Sequence, residues 1–442
     1  MVLFGKIGWS AAFVMITQCV TAQLPQAVEQ LQAHSKREVP AGYSPRLNVL
    51  TLMPKGNLHY LFPFYHAFRD EAKFKKNITD KGYYSELSEY FAFAGDYQSA
   101  MVYLEKSYDS IDDATRRRVF RTVDGVSNVE HVDAWKYIHF AARNSQVVMI
   151  NTAHDKPQHC AFVLSLLADL YKEGYRQLAM EMLNNTSGKE LTRLRLATGY
   201  YTAEPVAGEL VRGALALGYK LVAYEDTVSG HMPATRDSIQ AQNIYTALQE
   251  DPKSKMLVLA SYGHISEKAG DDGFVPMALA FRRISGIDPL TIDQTDMTEE
   301  GNFGYGRVLY QAYIQKFPLK TPSIALLNNT PVNVIHGDRY DLSVIHPPSI
   351  YSDGRPTWLN LGGQRQPVTV KPSSPAVFLV QAYYQDEVSQ NDNKPWQLVP
   401  ADQTYIAGGK KLYLLYLKKG KYVIYFRDID YHILNTLNIE VS

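Results

Sequence analysis

The chain has 442 residues, enough for two or three domains that each bury a core. Lys plus Arg and Asp plus Glu both number 45, so the formal net charge is zero. That balance offers no footprint for nucleic acid and no cationic face for an anionic membrane.

Residues 1–22 read as an export signal. Lys6 supplies a basic start, Ile7 to Val20 is mostly apolar, and Val20-Thr21-Ala22 resembles a small-residue cleavage site. The run is shorter than a bilayer span and is interrupted by Ser10, Thr17 and Gln18, so no membrane span is expected after cleavage. Removal of residues 1–22 would leave Cys160 as the only cysteine and exclude an intrachain disulfide. The expected location is periplasmic or extracellular.

Residues 23–144 read as a helical module, wholly helical from about His59 to Asn144. Within it, Tyr83 to Tyr108 places two amphipathic helices around the turn Ala94-Gly95-Asp96, with small Ala100 where helices approach closely. This stretch resembles one tetratricopeptide repeat. Arrays of such units need at least about three to bury a continuous core. A short module packed on the next domain, available to a protein partner, is therefore expected.

From Gln146 the pattern alternates between strand and helix. Strands are expected to end at Asn151, Glu181, Glu225, Ser261 and Gln294, with helices at Gln158 to Lys172, Ala203 to Leu217, Pro233 to Gln249 and Val275 to Ile284. Crossovers of this length predict an α/β domain over residues 145–305, a mostly parallel sheet with helices on both faces. The insertion between Glu181 and Ala203, rich in Arg, Leu and Tyr, is placed to form a lid over the sheet edge. Residues 306–442 read as a small antiparallel β domain. There Leu412 to Leu417 and Tyr422 to Phe426 are expected to pair as a hairpin, and Gly408-Gly409 to form a turn.

Polar residues gather at the expected carboxyl ends of these strands, where open α/β sheets bind ligands. His154 follows the first strand, Glu181 ends the second, Glu225 ends the third and His264 follows the fourth. His154 is open to three roles: general base, metal ligand, or a loop residue capping the next helix. Glu181 ends an apolar strand and needs a partner, either a histidine or a nearby arginine. Gly263 permits close backbone approach to a ligand beside His264. Arg236, in the first turn of a helix, suits a substrate carboxylate or an oxyanion, or is simply solvated. His159 is a second ligand or a helix-terminus residue. Glu225, His159 and Asn243 complete the set as substrate-binding candidates. The chain lacks a G-x-S-x-G elbow, a Walker A loop, a G-x-G-x-x-G strand end and an H-E-x-x-H helix.

Over Val132 to Thr295 these motifs resemble the superfamily of erythromycin esterase-like, Tiki/TraB-type and ChaN-like haem-binding proteins. The motifs are Asn151-Thr-Ala-His154, Leu178-Ala-Met-Glu181, Ser261-Tyr-Gly-His264 and the helix Arg236 to Asn243. Asn151-Thr152 stands where the family often has Gly-Glu, so the carboxylate expected beside His154 is missing. The resemblance implies water-mediated hydrolysis of an ester or lactone. His154 would be the base, Glu181 would orient it or share its proton, and His264 and Arg236 would steady the oxyanion. No cofactor is required on that reading, and the substrate is a small molecule or peptide. Two alternatives follow from other branches: a metal-dependent peptidase using a divalent cation, and a non-catalytic protein binding haem or a protein partner.

Overall fold

The structure, a computed structural model, describes residues 26–36, 59–185, 191–228, 230–271, 273–301, 306–392, 394–405 and 413–442. The expected export signal and the Gly408-Gly409 turn lie outside these residues, as do residues 186–190 of the insertion between Glu181 and Ala203. No helix among the described residues is long and apolar enough to cross a membrane.

The fold is α/β, built on a mixed, mostly parallel sheet of nine strands. Strand β1 is Val129–Asp133, β2 Val147–Thr152, β3 Tyr175–Met180, β4 Lys220–Val222, β5 Lys255–Ser261, β6 Leu290–Asp293 and β7 Ser323–Leu327. Reading across the sheet from one edge, β4, β3, β5, β2, β6 and Leu342–Ile345 run parallel. Beyond them β7 pairs antiparallel with Leu342–Ile345, and β1 pairs antiparallel with β7. All six residues of β2 are buried, as a central parallel strand with both faces covered requires.

Alternation along the strands sorts side chains into two layers. Val148, Ile150, Leu178, Met180, Leu257 and Leu259 face one core, filled by Phe162, Val163, Leu166 and Leu167 and by Val206, Leu210 and Val211. These come from helices Pro157–Lys172 and Pro205–Leu217. Val147, Met149, Ala179, Met256, Val258 and Ala260 face the other core, with Ile244, Leu248, Met277 and Phe281. The latter come from helices Pro233–Glu250 and Met277–Ser285. Helices thus cover both faces, within two residues of the expected boundaries at each end.

Three expectations are corrected. The stretch from His59 to Asn144 is not wholly helical: β1 lies within it, because β7 offers an unpaired sheet edge that local sequence cannot reveal. The sheet also continues past residue 305, since β7 and Leu342–Ile345 join it. The third correction concerns the last strands. Tyr413–Leu417 pairs with Gln366–Val370, not with Gly420–Arg427, which instead pairs with Leu379–Tyr384 and Ile433–Val441. The turn near Lys418 carries the chain between two small sheets. Val370, Val380, Leu415, Leu417, Tyr422, Ile424 and Phe426 close the core between them.

The expected helix–turn–helix is present as Glu71–Phe93 and Tyr97–Ser107 around Ala94-Gly95-Asp96. Asp96 caps the second helix by accepting from the Ser99 amide at 3.1 Å. Gly95 sits at φ +80°, and a Cβ there would lie 2.3 Å from the Gln403 carbonyl oxygen, so only glycine fits. Arg355 donates to the Gly95 carbonyl at 2.7 Å and Gln403 to the Phe93 carbonyl at 2.6 Å. The helical turn is therefore docked on the C-terminal strands. The same helices share one continuous core with the α/β sheet.

Candidate active site

Spatial strand order decides which polar ends meet. Because β5 lies between β2 and β3, His264 falls between His154 and Glu181, although the chain order is 154, 181, 264. A pocket of ≈ 390 Å³ opens at the carboxyl ends of β2, β5 and β3. His154, Glu181, Glu225, Arg236 and His264 all line it, together with Tyr201 and Tyr262.

Arg236 is the hub. Its Nε and Nη2 donate to both oxygens of Glu225 at 2.8 and 2.5 Å, a bidentate fork. Nη2 also donates to Oε1 of Glu181 at 2.7 Å, and Nη1 lies 3.3 Å from Nε2 of His264. Oε2 of Glu181 accepts from the Ser261 amide at 2.6 Å and the Ser261 hydroxyl at 2.8 Å. Burial alone would raise the Glu181 carboxyl, but His264, the Ser261 amide and Arg236 outweigh it and hold the carboxyl below its ordinary value. Glu181 stays ionised.

The two histidines are set apart by their surroundings. Nδ1 of His264 meets Oδ2 of Asp237 at 2.9 Å, and that carboxylate is fully buried. Burial would lower the His264 imidazole, yet the Asp237 hydrogen bond and the Glu181 charge raise it above its ordinary value. His154 is the reverse case: burial lowers it, against the opposing pull of Glu181. Its ring stacks on Tyr201, with centroids 4.1 Å apart and planes at 10°, and meets Tyr262 edge-on at 5.3 Å. No hydrogen bond among the described residues joins Glu181 to His154.

The remaining candidates lie outside the pocket. His159 is fully buried, and its Nδ1 accepts from the Ala153 amide at 3.0 Å, holding the loop that carries His154. Asn243 donates to the Tyr224 carbonyl at 3.0 Å. Gly263 has open space around it, and the unusual backbone is one residue earlier, at Tyr262 with φ 42°. Asn151 ties β2 to β6 by accepting from the Gln294 amide at 2.8 Å and donating to Asp293 at 2.7 Å. Thr152 lines the pocket. Sequence reasoning missed Tyr201, Ser261, Tyr262 and Asp237. The adjacency Arg236-Asp237 in a first helical turn was the available signal for Asp237; for Tyr201 it was the tyrosine-bearing insertion expected over the sheet edge, which singled out no one residue.

The donor set fits neither a divalent cation nor haem. Arg236 already occupies the carboxylates of Glu181 and Glu225, and Asp237 holds one nitrogen of His264. That leaves one open imidazole, where a catalytic metal site needs about three protein ligands. A wall bearing Glu181, Glu225 and Arg236 would bury charges against the apolar faces of a porphyrin. Among the described residues, Asp428, Asp430 and His432 alone bring three metal-ligand atoms within 4.8 Å of one another. They are on the C-terminal strands' surface, where Asp430 pairs with His34 at 2.9 Å and Asp428 with His432 at 3.3 Å.

No family model matches the chain. No curated protein matches it. Among solved structures, one described as a crystal structure of bacterial protein toxins is 16% identical, with a TM-score of 0.26 over 54% of this chain and 55% of that one. The signal recognition particle receptor FtsY from Elizabethkingia anophelis, in complex with GDP, is 10% identical, with a TM-score of 0.22 over 53% and 76% of the two chains. At these scores the likenesses carry no argument about fold or function.

Proposed function

We propose that this chain is an exported hydrolase of the erythromycin esterase-like kind, cleaving an ester or lactone with water and without a metal. The observation that carries this reading is that one pocket brings together His154, an imidazole lowered by burial, and the Arg236 guanidinium beside a second imidazole, His264. His154 is neutral at pH 7 and able to take a proton from water. The hydroxide formed adds to the substrate carbonyl carbon. Arg236 and His264, whose imidazole is raised above its ordinary value, then face the developing oxyanion. His154 returns its proton to the leaving alkoxide. Glu181 acts by charge: it stabilises the His154 imidazolium and holds Arg236 and Ser261 in place, a narrower role than orienting His154 by a hydrogen bond.

The helix pair at 71–107 is read as one tetratricopeptide-like unit that backs the site, behind Tyr200 and Tyr201. Its docking on the C-terminal strands supports that use over a free binding solenoid.

The test is turnover of a panel of chromogenic esters and lactones by the full chain, before and after chelation. His154→Ala is expected to lower turnover about 10²- to 10⁴-fold, and chelation to change nothing. Absence of turnover across the panel, or equal rates in the variant, sinks the reading. Loss on chelation would favour the metal-dependent peptidase.

A further inference from the structure

Neither ring nitrogen of His154 is hydrogen-bonded among the described residues, so its orientation rests on the rings around it. Tyr201 supplies the face-to-face contact, and Tyr200 holds Tyr201 edge-on at 4.8 Å and 79°. Both tyrosines pack against Phe93 of the helix Glu71–Phe93, at 5.2 and 6.4 Å. The Tyr200 hydroxyl donates to Oε1 of Glu89 on that same helix at 2.6 Å.

Glu89 has no cationic partner among the described residues. Its carboxyl is pushed up to about 8 by burial, against the Tyr200 hydrogen bond and with the Glu86 and Asp155 charges adding to the rise. A carboxyl so placed is costly unless its hydrogen bond is worth keeping. That bond anchors Tyr200, which lies between two single-turn 3-10 segments, Leu196–Thr198 and Tyr201–Ala203. Such turns hold a ring poorly by themselves.

We infer that Glu89 is a positioning residue for His154: by holding Tyr200 it fixes Tyr201 as the plane on which the imidazole stacks. The helical segment thereby supports the pocket from behind Tyr201 without lining it. The inference deepens the hydrolase reading and rests on it only for the role of His154 as base.

The experiment is NMR of the full chain with labelled histidine, with His154 assigned by His154→Gln. In wild type, ring current from Tyr201 shifts the His154 ring protons upfield, and Tyr201→Leu abolishes that shift. Tyr200→Phe, which removes one hydroxyl and keeps the ring, and Glu89→Leu are expected to reduce it. Glu89→Gln keeps an acceptor for the hydroxyl and is expected to restore it. If the panel is turned over, kcat falls roughly 2- to 10-fold in Tyr200→Phe with KM unchanged. Wild-type His154 resonances in both Tyr200→Phe and Glu89→Leu would overturn the inference, as would an unshifted His154 in wild type. The NMR readout needs no turnover, so a failed ester panel and a failed relay are distinguishable.

Discussion

Two of the carboxylate–guanidinium clusters among the described residues are built from similar parts. One joins Arg236, Glu181 and Glu225 at the sheet edge. The other surrounds Glu209 on the helix Pro205–Leu217. Its carboxylate meets Arg212 at 3.0 Å, Arg365 at 3.1 Å, Lys418 at 3.2 Å and the Tyr384 hydroxyl at 3.0 Å. Burial would raise Glu209, but Arg365, Arg212 and Lys418 hold it down to about 2. The Arg365 side chain is 0% exposed and that of Arg236 is 33% exposed. The sealed cluster fastens the C-terminal strands to the helix and has no imidazole among these partners. The open cluster faces a pocket shared by two histidines of opposite tendency. Charge networks alone therefore do not single out a candidate site; a pocket lined by two imidazoles beside the network distinguishes this one.

Substitution in the sealed cluster should have the largest effect on stability. Glu209→Ala leaves the buried Arg365 guanidinium without its carboxylate partner and is expected to cost about 3–5 kcal/mol in urea unfolding. Because the folded carboxyl lies below its ordinary value of 4.5, the stability it contributes is complete above pH 4.5 and drains as pH falls toward about 2. A cost near zero would mean the cluster is wet, and the contrast with the pocket would collapse.

In the open cluster the effect should fall on rate. Arg236→Lys keeps the charge and loses the fork to Glu225, so kcat/KM on a responsive ester should drop about 10²-fold. Stability should change by no more than about 1 kcal/mol, as for a partly exposed pair. Wild-type rates would remove Arg236 from the chemistry.

A subtler expectation concerns pH. His154 must be neutral and lies below its ordinary 6.5, so the acid limb of kcat/KM should fall below pH 6.5. His264 must be protonated and lies above 6.5, so the alkaline limb should fall above it. His264→Gln should erase the alkaline limb while leaving the acid one. A single limb in wild type would mean that only one histidine matters.

Much of the α/β core was legible in the sequence. Apolar runs such as Val147 to Ile150 and helical spacing such as Phe162, Val163, Leu166 and Leu167 are local signals, and burial on both faces of a sheet demands them. Pairing partners were not legible. Tyr413–Leu417 and Gly420–Arg427 look like a hairpin locally, yet each satisfies its backbone with a distant strand. β1 became a strand because β7 supplied an edge. The same division holds at the site. His154, Glu181, Glu225, Arg236 and His264 stand at readable strand and helix ends. Tyr201 comes from an irregular insertion with no periodicity to follow.

By itself, then, the sequence determined which residues could meet at one end of the sheet, because strand polarity follows from chain order and crossover length. Tertiary structure alone decided what each does there. Its strand order set His264 against Asp237 and Arg236 against two carboxylates, and it sent His159 and Asn243 to structural duty. A helix distant in sequence was packed behind the tyrosine that faces His154. Protonation tendencies depend on burial and on charges a few ångströms away, and those neighbours are assembled from segments that the chain order keeps apart.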